Sequence, residues 1–324
     1  LAEIPIGSSP LWPARILPDD EYRRIWGRVK PAFLAAMAKQ RMPSALAEPL
    51  ASVYLPLAAW VAAHKKEKPF VLGVNGAQGS GKSTLCRFLA LILRQGYGYK
   101  VAGFSIDDIY KTRLERERLA REVHPLLATR GVPGTHDVGL GLETLDRLTK
   151  AGLESAVALP AFDKSADDRR PVSAWPCVQA PVDIVIFDGW CVGCLPQSRE
   201  ELVRPINVLE AEADEDGRWR TYVNEQLRGS YAELFGRLDR LIMLKVPGME
   251  CVHRWRGLQE RKLAVEVREN GTSGHRLMDE AALRRFIMHY ERLTRHMLAE
   301  MPARADVTLF LDENHRFAGV HLNE

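Results

Sequence analysis

The sequence predicts an α/β chain in which five parallel strands are covered by helices on both faces. Two observations carry that reading. Five short runs, "FVLGV" (70–74), "VAGFSI" (101–106), "VDIVIF" (182–187), "LIMLKV" (241–246) and "VTLFL" (307–311), are apolar at nearly every position. That is what strands buried on both faces require. Long stretches of helical periodicity separate them, the spacing of crossover connections rather than of hairpins. A third observation specifies the kind of α/β fold. Directly after the first run stands "GAQGSGKS", Gly76 to Ser83, a full match to G-x-x-x-x-G-K-[ST]. The expected architecture is therefore a P-loop NTPase: a five-stranded parallel sheet flanked by helices, with a helical N-terminal extension and a helical lid.

Taken in order, residues 1–68 read as the extension and 69–324 as the P-loop domain. The extension is punctuated by proline and places Leu46, Leu50, Val53, Leu57 and Trp60 at roughly helical spacing. Its first residues lack the basic start and long apolar run of a secretory signal. "PLASVYLPLAAWVAA", from Pro49, is too short to span a bilayer and contains Pro56, so a core helix in two pieces is expected. The polar "HKKEKP" then ends the extension.

In the loop, glycines let successive backbone N–H groups turn inward toward phosphate oxygens. The helix that follows adds its positive N-terminal end. The nucleotide set is Gly76, Ala77, Gln78, Gly79, Ser80, Gly81, Lys82, Ser83 and Thr84. Lys82 reaches the β- and γ-phosphates and the Ser83 hydroxyl ligates Mg²⁺. ATP and Mg²⁺ are the expected cofactors. A carboxylate for the metal shell stands in "VDIVIFDGW": Asp188 closes a strand at the edge where ligands of open α/β sheets gather. A helix-capping Asp would occupy the same place.

The stretch "FSIDDIY" (104–110) also ends a predicted strand and sets Asp107 beside Asp108. A turn would use either acid. If the strands are parallel, however, this pair faces the same edge as the phosphates, and a carboxylate there can accept the proton of an attacking hydroxyl. The three features together favour a small-molecule kinase over a simple turn.

Bulk composition narrows the field. In 324 residues, 45 Lys and Arg against 42 Asp and Glu give a formal charge of +3, too mild to argue for nucleic acid or a membrane surface. Five cysteines do not form a disulfide framework, which suits a reducing, cytoplasmic setting. "CVGC" (191–194) has thiol-pair spacing but no second pair, so redox and zinc roles are discounted. No G-x-G-x-x-G follows the first strand, which argues against hydride transfer. The acidic "EAEADEDGRW" (210–219) reads as a solvated loop.

Five blocks in order, "GAQGSGKST", "SIDDIYKT", "RGVPGTHD", "LPAFDKSADDRR" and "FDGWCVG", followed by "WRGLQE" and "ADVTLFLDENH", resemble the D-glycerate 3-kinase family of the plant and fungal type and its bacterial relatives. That family belongs to the phosphoribulokinase, uridine kinase and pantothenate kinase group. The likeness covers about residues 70–320. The family pattern S-x-D-D-F-Y has Ile109 in place of Phe here, and relatives commonly carry Glu where Asp188 stands. The resemblance implies that Asp107 is the base, with Asp108 orienting it or touching metal-bound water and Tyr110 beside the substrate. It also implies a three-carbon hydroxy acid as acceptor, whose carboxylate needs fixed donors. Arg130, His136 and Asp137 of "TRGVPGTHD" and Lys164, Arg169 and Arg170 of "FDKSADDRR" are the candidates. For His136 a structural role, and for the "DDRR" charges a solvated loop, are equally good readings. In "HRWRGLQERK", Arg254 and Arg256 are the lid arginines expected to meet the transferring phosphoryl; an exposed basic helix face is the alternative. Asn314 and His315 are placed near the adenine. No nucleic-acid or membrane partner is expected. Two other functions stay open: another kinase of the uridine and pantothenate group, and a non-catalytic ATP-binding switch.

Overall fold

The computed structural model describes residues 11–13, 17–39, 42, 49–150, 155–270 and 278–323, without the side chains of 262–270. Helix α1 (Asp19–Lys39) buries Ile25, Val29, Phe33 and Met37, one residue per turn, so a single apolar stripe faces inward. Leu50–Tyr54 winds as a π-helical turn and runs directly into α2 (Leu55–His64). Pro56, which has no N–H to give, follows that π-helical turn at the second position of α2. This joint is the helix in two pieces that the proline implied. Leu50, Val53, Leu57 and Trp60 are buried; Leu46 lies outside the described residues.

The described strands, in chain order, are β1 (Phe70–Gly76), β2 (Val101–Ser105), the short β3 (Ser155–Ala158), β4 (Phe162–Asp163), β5 (Asp168–Arg169) and β6 (Cys177–Ala180), then β7 (Ile184–Gly189), β8 (Arg240–Lys245), β9 (Val307–Leu311) and β10 (Phe317–Leu322). Helix α3 (Lys82–Tyr97) leaves β1, while α4 (Arg113–Glu122) and α5 (Val138–Thr149) follow β2. Between β7 and β8 run α6 (Arg199–Leu202), α7 (Val208–Ala213), α8 (Arg218–Arg228) and α9 (Ser230–Phe235). Helices α10 (Met249–Asn270) and α11 (Glu280–Glu300) connect β8 to β9.

The main sheet has the order β10-β9-β8-β1-β7-β2. All five apolar runs became its parallel strands, and β10 is added antiparallel on the edge of β9. The sheet is thus one strand wider than expected. In β10, half-buried and exposed residues are mixed, so it has no continuous apolar run to announce it. Strand pleating deals the core out to two faces. Leu72 and Val74 of β1, Ile184 and Ile186 of β7, and Ile242 and Leu244 of β8 face the layer made with α1, α2 and α3. Val71, Val185, Phe187 and Met243 face the layer shared with α5, α8, α9 and α11. Among the described residues no helix is long and apolar enough to cross a membrane.

The acidic stretch from 210 to 219 differs from the solvated loop expected. Glu210, on α7, is fully buried and holds Arg292 of α11 through two hydrogen bonds, 2.8 and 2.6 Å. Asp214 is buried too, accepting from the backbone of Trp219 and Arg220 and from the Arg220 guanidinium. Glu212, Glu215 and Asp216 remain exposed.

Candidate active site

The parallel register aligns three strand ends. Val74 of β1 and Ser105 of β2 both stand opposite Asp188 of β7, so the glycine loop, Asp188 and the acidic doublet share one edge of the sheet. There the loop and Asp107 border a cavity of about 390 Å³, whose lining includes neither Asp108 nor Asp188. Its lining takes the loop from Ala77 to Thr84, Asp107 and Tyr110 after β2, Arg130, Lys164, Trp190, Arg256 and Gln259 of α10, and Phe286 and Tyr290 of α11.

The loop has the geometry of a phosphate cradle. Gly79 and Gly81 take left-handed backbone angles, φ 79° and 89°, and α3 begins at Lys82. A Cβ on Gly79 would stand 3.0 Å from Trp255 Cβ of α10. His315, in the β9–β10 turn, stacks on the Trp255 ring at 4.2 Å and approaches Gly81 from the other side. The Gln78 Oε1 and Ser80 Oγ atoms are buried in the loop without a hydrogen-bond partner among the described residues. Lys82 Nζ lies 3.8 Å from Asp188 Oδ2. Burial pushes the Asp188 pKa up to about 6, Lys82 opposing and the nearby Asp107 and Asp108 adding to the rise. Among the described residues no three His, Cys, Asp or Glu side chains cluster as a metal cage. Ser83 and Asp188 are the residues that could hold a Mg²⁺ keeping water and phosphate oxygens as its other ligands.

The acidic doublet divides into two parts. Ser105-x-x-Asp108 forms a capping box on a 3₁₀ turn, Ile106–Ile109. The Ser105 backbone N–H donates to Asp108 Oδ2 at 2.8 Å, and the Asp107 N–H donates to Ser105 Oγ. Asp108 is thereby committed to the backbone, and it is not among the cavity-lining residues. Asp107 points into the cavity instead. It accepts from Tyr110 Oη at 2.9 Å and pairs with Lys164 Nζ at 2.6 Å. Burial acts to raise its pKa, but Lys164, Lys82 and the Tyr110 hydroxyl outweigh that and hold the carboxyl well below its usual range.

The other expected substrate residues separate in the same way. Arg130 lines the cavity, its guanidinium over the Phe162 ring and paired with Asp167. His136 does not reach it. The ring is buried behind Tyr110, stacked at 4.5 Å, with Nδ1 2.6 Å from Tyr231 Oη. Asp137 caps α5 and pairs with Arg169, which also donates to the Tyr110 carbonyl, so both brace the Tyr110 backbone from outside the cavity. Arg170 meets Asp163 at 3.7 Å, away from the lining. Of the two lid arginines, Arg256 lines the cavity, held by Glu260 at 3.0 Å. Arg254 is exposed and donates to the Glu313 carbonyl beyond β9, so it is not positioned for phosphoryl contact. Asn314 is not in the lining either.

Trp190, Gln259, Phe286 and Tyr290 were not foreseen. Trp190 follows Asp188 by two residues and could have been read from that place. Phe286 and Tyr290 reveal themselves only as an i, i+4 pair on a long amphipathic helix, which reads as core. Tyr290 packs edge-on to Trp190 at 4.8 Å and donates to the Arg130 carbonyl. The arrangement offers a phosphate cradle, a carboxylate acceptor for a proton, and the cations Lys164 and Arg130 in the same cavity.

No family model matches the chain. A protein of Schizosaccharomyces pombe described as "uncharacterized kinase mug58" is 33% identical over 236 residues, 69% of this chain and 79% of that protein. The chloroplastic D-glycerate 3-kinase of Arabidopsis thaliana is 30% identical over 277 residues, 78% of this chain but only 56% of that longer protein. The solved structure of D-glycerate 3-kinase from Cryptococcus neoformans superposes with a TM-score of 0.69 at 26% identity, covering 84% of this chain and 99% of that one.

Proposed function

Because this chain belongs to the D-glycerate 3-kinase family of P-loop kinases, we propose that it transfers the γ-phosphoryl of ATP to the 3-hydroxyl of D-glycerate. The observation that carries this reading is the pairing of Asp107 with Lys164 in one cavity that Arg130 and the glycine loop also line. A hydroxyl needs a carboxylate to take its proton, and a short hydroxy acid needs cations for its own carboxylate. Residues Ala77 to Thr84 cradle the phosphates, with Lys82 along the β- and γ-oxygens. Ser83 and Asp188 would hold Mg²⁺, which when bound would neutralise the phosphate charge. Lys164 and Arg130 take the acceptor carboxylate. Asp107 accepts the 3-hydroxyl proton as the oxygen–phosphorus bond forms, and the bond to the β-phosphate oxygen breaks with its electron pair leaving on ADP. Arg256, turned from Glu260, meets the charge spread over the phosphoryl oxygens. The products are 3-phosphoglycerate and ADP.

ADP release measured with D-glycerate, L-glycerate, pantothenate and uridine tests the assignment. D-glycerate should be the preferred acceptor. Uridine belongs in the panel because Trp190, Phe286 and Tyr290 give the same cavity flat aromatic faces. Turnover of uridine or pantothenate alone would reject the glycerate reading. In the same assay Asp107→Asn should lose at least about 100-fold in kcat while binding ATP normally; retained turnover would reject it as the base.

A further inference from the structure

The base and its nearest cation are paired before any acceptor arrives. Lys164 Nζ is 2.6 Å from Asp107 Oδ2, and both side chains border the cavity. The backbone under Lys164 is fixed. Asp163 Oδ1 accepts from the N–H groups of Ser165 and Ala166, at 2.9 and 3.2 Å, closing the turn between β4 and β5. Arg116, buried, grips the far end of that turn through the Asp167 carbonyl at 2.7 Å. Above this anchored turn the Lys164 side chain is 62% exposed, with a long, rotatable stem. So the ammonium can swing while its attachment stays still.

We infer that Lys164 gates the base: it occupies Asp107 until an anionic acceptor draws its ammonium away, so that the acceptor's own charge frees the carboxylate for proton transfer. The inference rests on Asp107 being the base. An ion-paired carboxylate is a weak proton acceptor, because taking a proton means giving up the pair. A carboxylate on the acceptor offers Lys164 an equivalent partner a few ångströms away, and Arg130 is positioned to share it. The other titratable groups that act on Asp107 include Lys82 on α3, Tyr110, Asp108, His136, Asp188, Cys191 and Tyr290. Among the described cations, Lys164 is the one in direct contact, and its stem is exposed. A neutral polyol cannot make the exchange and meets a base that is still occupied. Lys164 is in this sense a positioning residue and a specificity determinant: it discriminates by charge at the proton-transfer step as well as at binding.

The test compares D-glycerate with glycerol, the same skeleton with a hydroxymethyl for the carboxylate, in the wild type, Lys164→Met and Lys164→Arg. Lys164→Met should lower kcat/KM for D-glycerate, mostly through KM, and raise kcat for glycerol about 10-fold. Lys164→Arg should keep the wild-type preference. Equal melting temperatures and ATP affinities would show that the variants fold, as the exposure of the side chain leads one to expect. If D-glycerate turns over normally in the wild type but glycerol turnover does not rise in Lys164→Met, Lys164 only binds the acceptor and the gate is overturned. If D-glycerate releases no ADP in the wild type, the acceptor assignment itself fails and the gate falls with it.

Discussion

With Asp108 Oδ2 taken by the Ser105 N–H, Asp107 is the member of the doublet that faces the cavity. The sequence holds a local sign of that division, one that the family resemblance had supplied by another route. "SIDD" has the S-x-x-D spacing of a capping box, which singles out Asp108 as the cap. His136 was not legible in this way, because its motif could not reveal that Tyr110 stands between it and the cavity. Its burial has a consequence for acid stability. Burial pushes the His136 pKa down to about 3, Lys111 adding and Asp107 opposing. The unfolded chain takes up that proton near pH 6.5, whereas the folded one stays neutral. Between those values the unfolded state binds more protons, so this residue's contribution is intact above pH 6.5 and is lost as pH falls. At pH 5 the loss amounts to about 2 kcal/mol. His136→Gln should therefore lose less stability than the wild type between pH 7 and pH 5 in urea denaturation, and parallel losses in the two proteins would contradict this.

Helices α7 and α11 are joined by the Glu210–Arg292 pair, and neither end is solvated. Arg292 also donates to the Glu201 and Arg204 carbonyls, at 2.9 and 2.7 Å, so one guanidinium ties α11 to two segments of the β7–β8 crossover. Removing it leaves a buried carboxylate uncompensated. Arg292→Met should cost about 3–5 kcal/mol of unfolding free energy, and adding Glu210→Leu should recover much of that. Equilibrium denaturation of both variants decides it, a single variant of wild-type stability being the adverse result. The sequence could not announce this pair, because its members are 82 positions apart and Glu210 stands in a run of like charge. The parallel strands were legible because burial on both faces leaves an unbroken apolar run, a local signature that β10 lacks.

Over the whole molecule, β1 lies inside a sheet packed on both faces, with α1 and α2 in the same apolar layer as α3. Helix α1 packs on α3 at Gly96, where a Cβ would come within 2.8 Å of Ile25 Cγ2 and 3.3 Å of Val29 Cγ2. Gly96→Val should therefore destabilise the protein by about 1–3 kcal/mol and speed amide exchange in α1, with ATP affinity unchanged. Unaltered exchange there would mean that α1 does not depend on this contact. Local patterns revealed the layers and the glycine loop. They did not reveal the aromatic and glutamine side of the cavity, since Trp190, Gln259, Phe286 and Tyr290 come from three separate elements that meet only in the folded chain. At Gly79, the left-handed turn and the Trp255 side chain behind it exclude a larger residue whether or not a nucleotide is bound. A descendant that had abandoned phosphate chemistry would still be held to glycine there. In sequences of this build, then, conserved glycine diagnoses architecture, and it is the lysines and carboxylates facing the cavity that diagnose an enzyme.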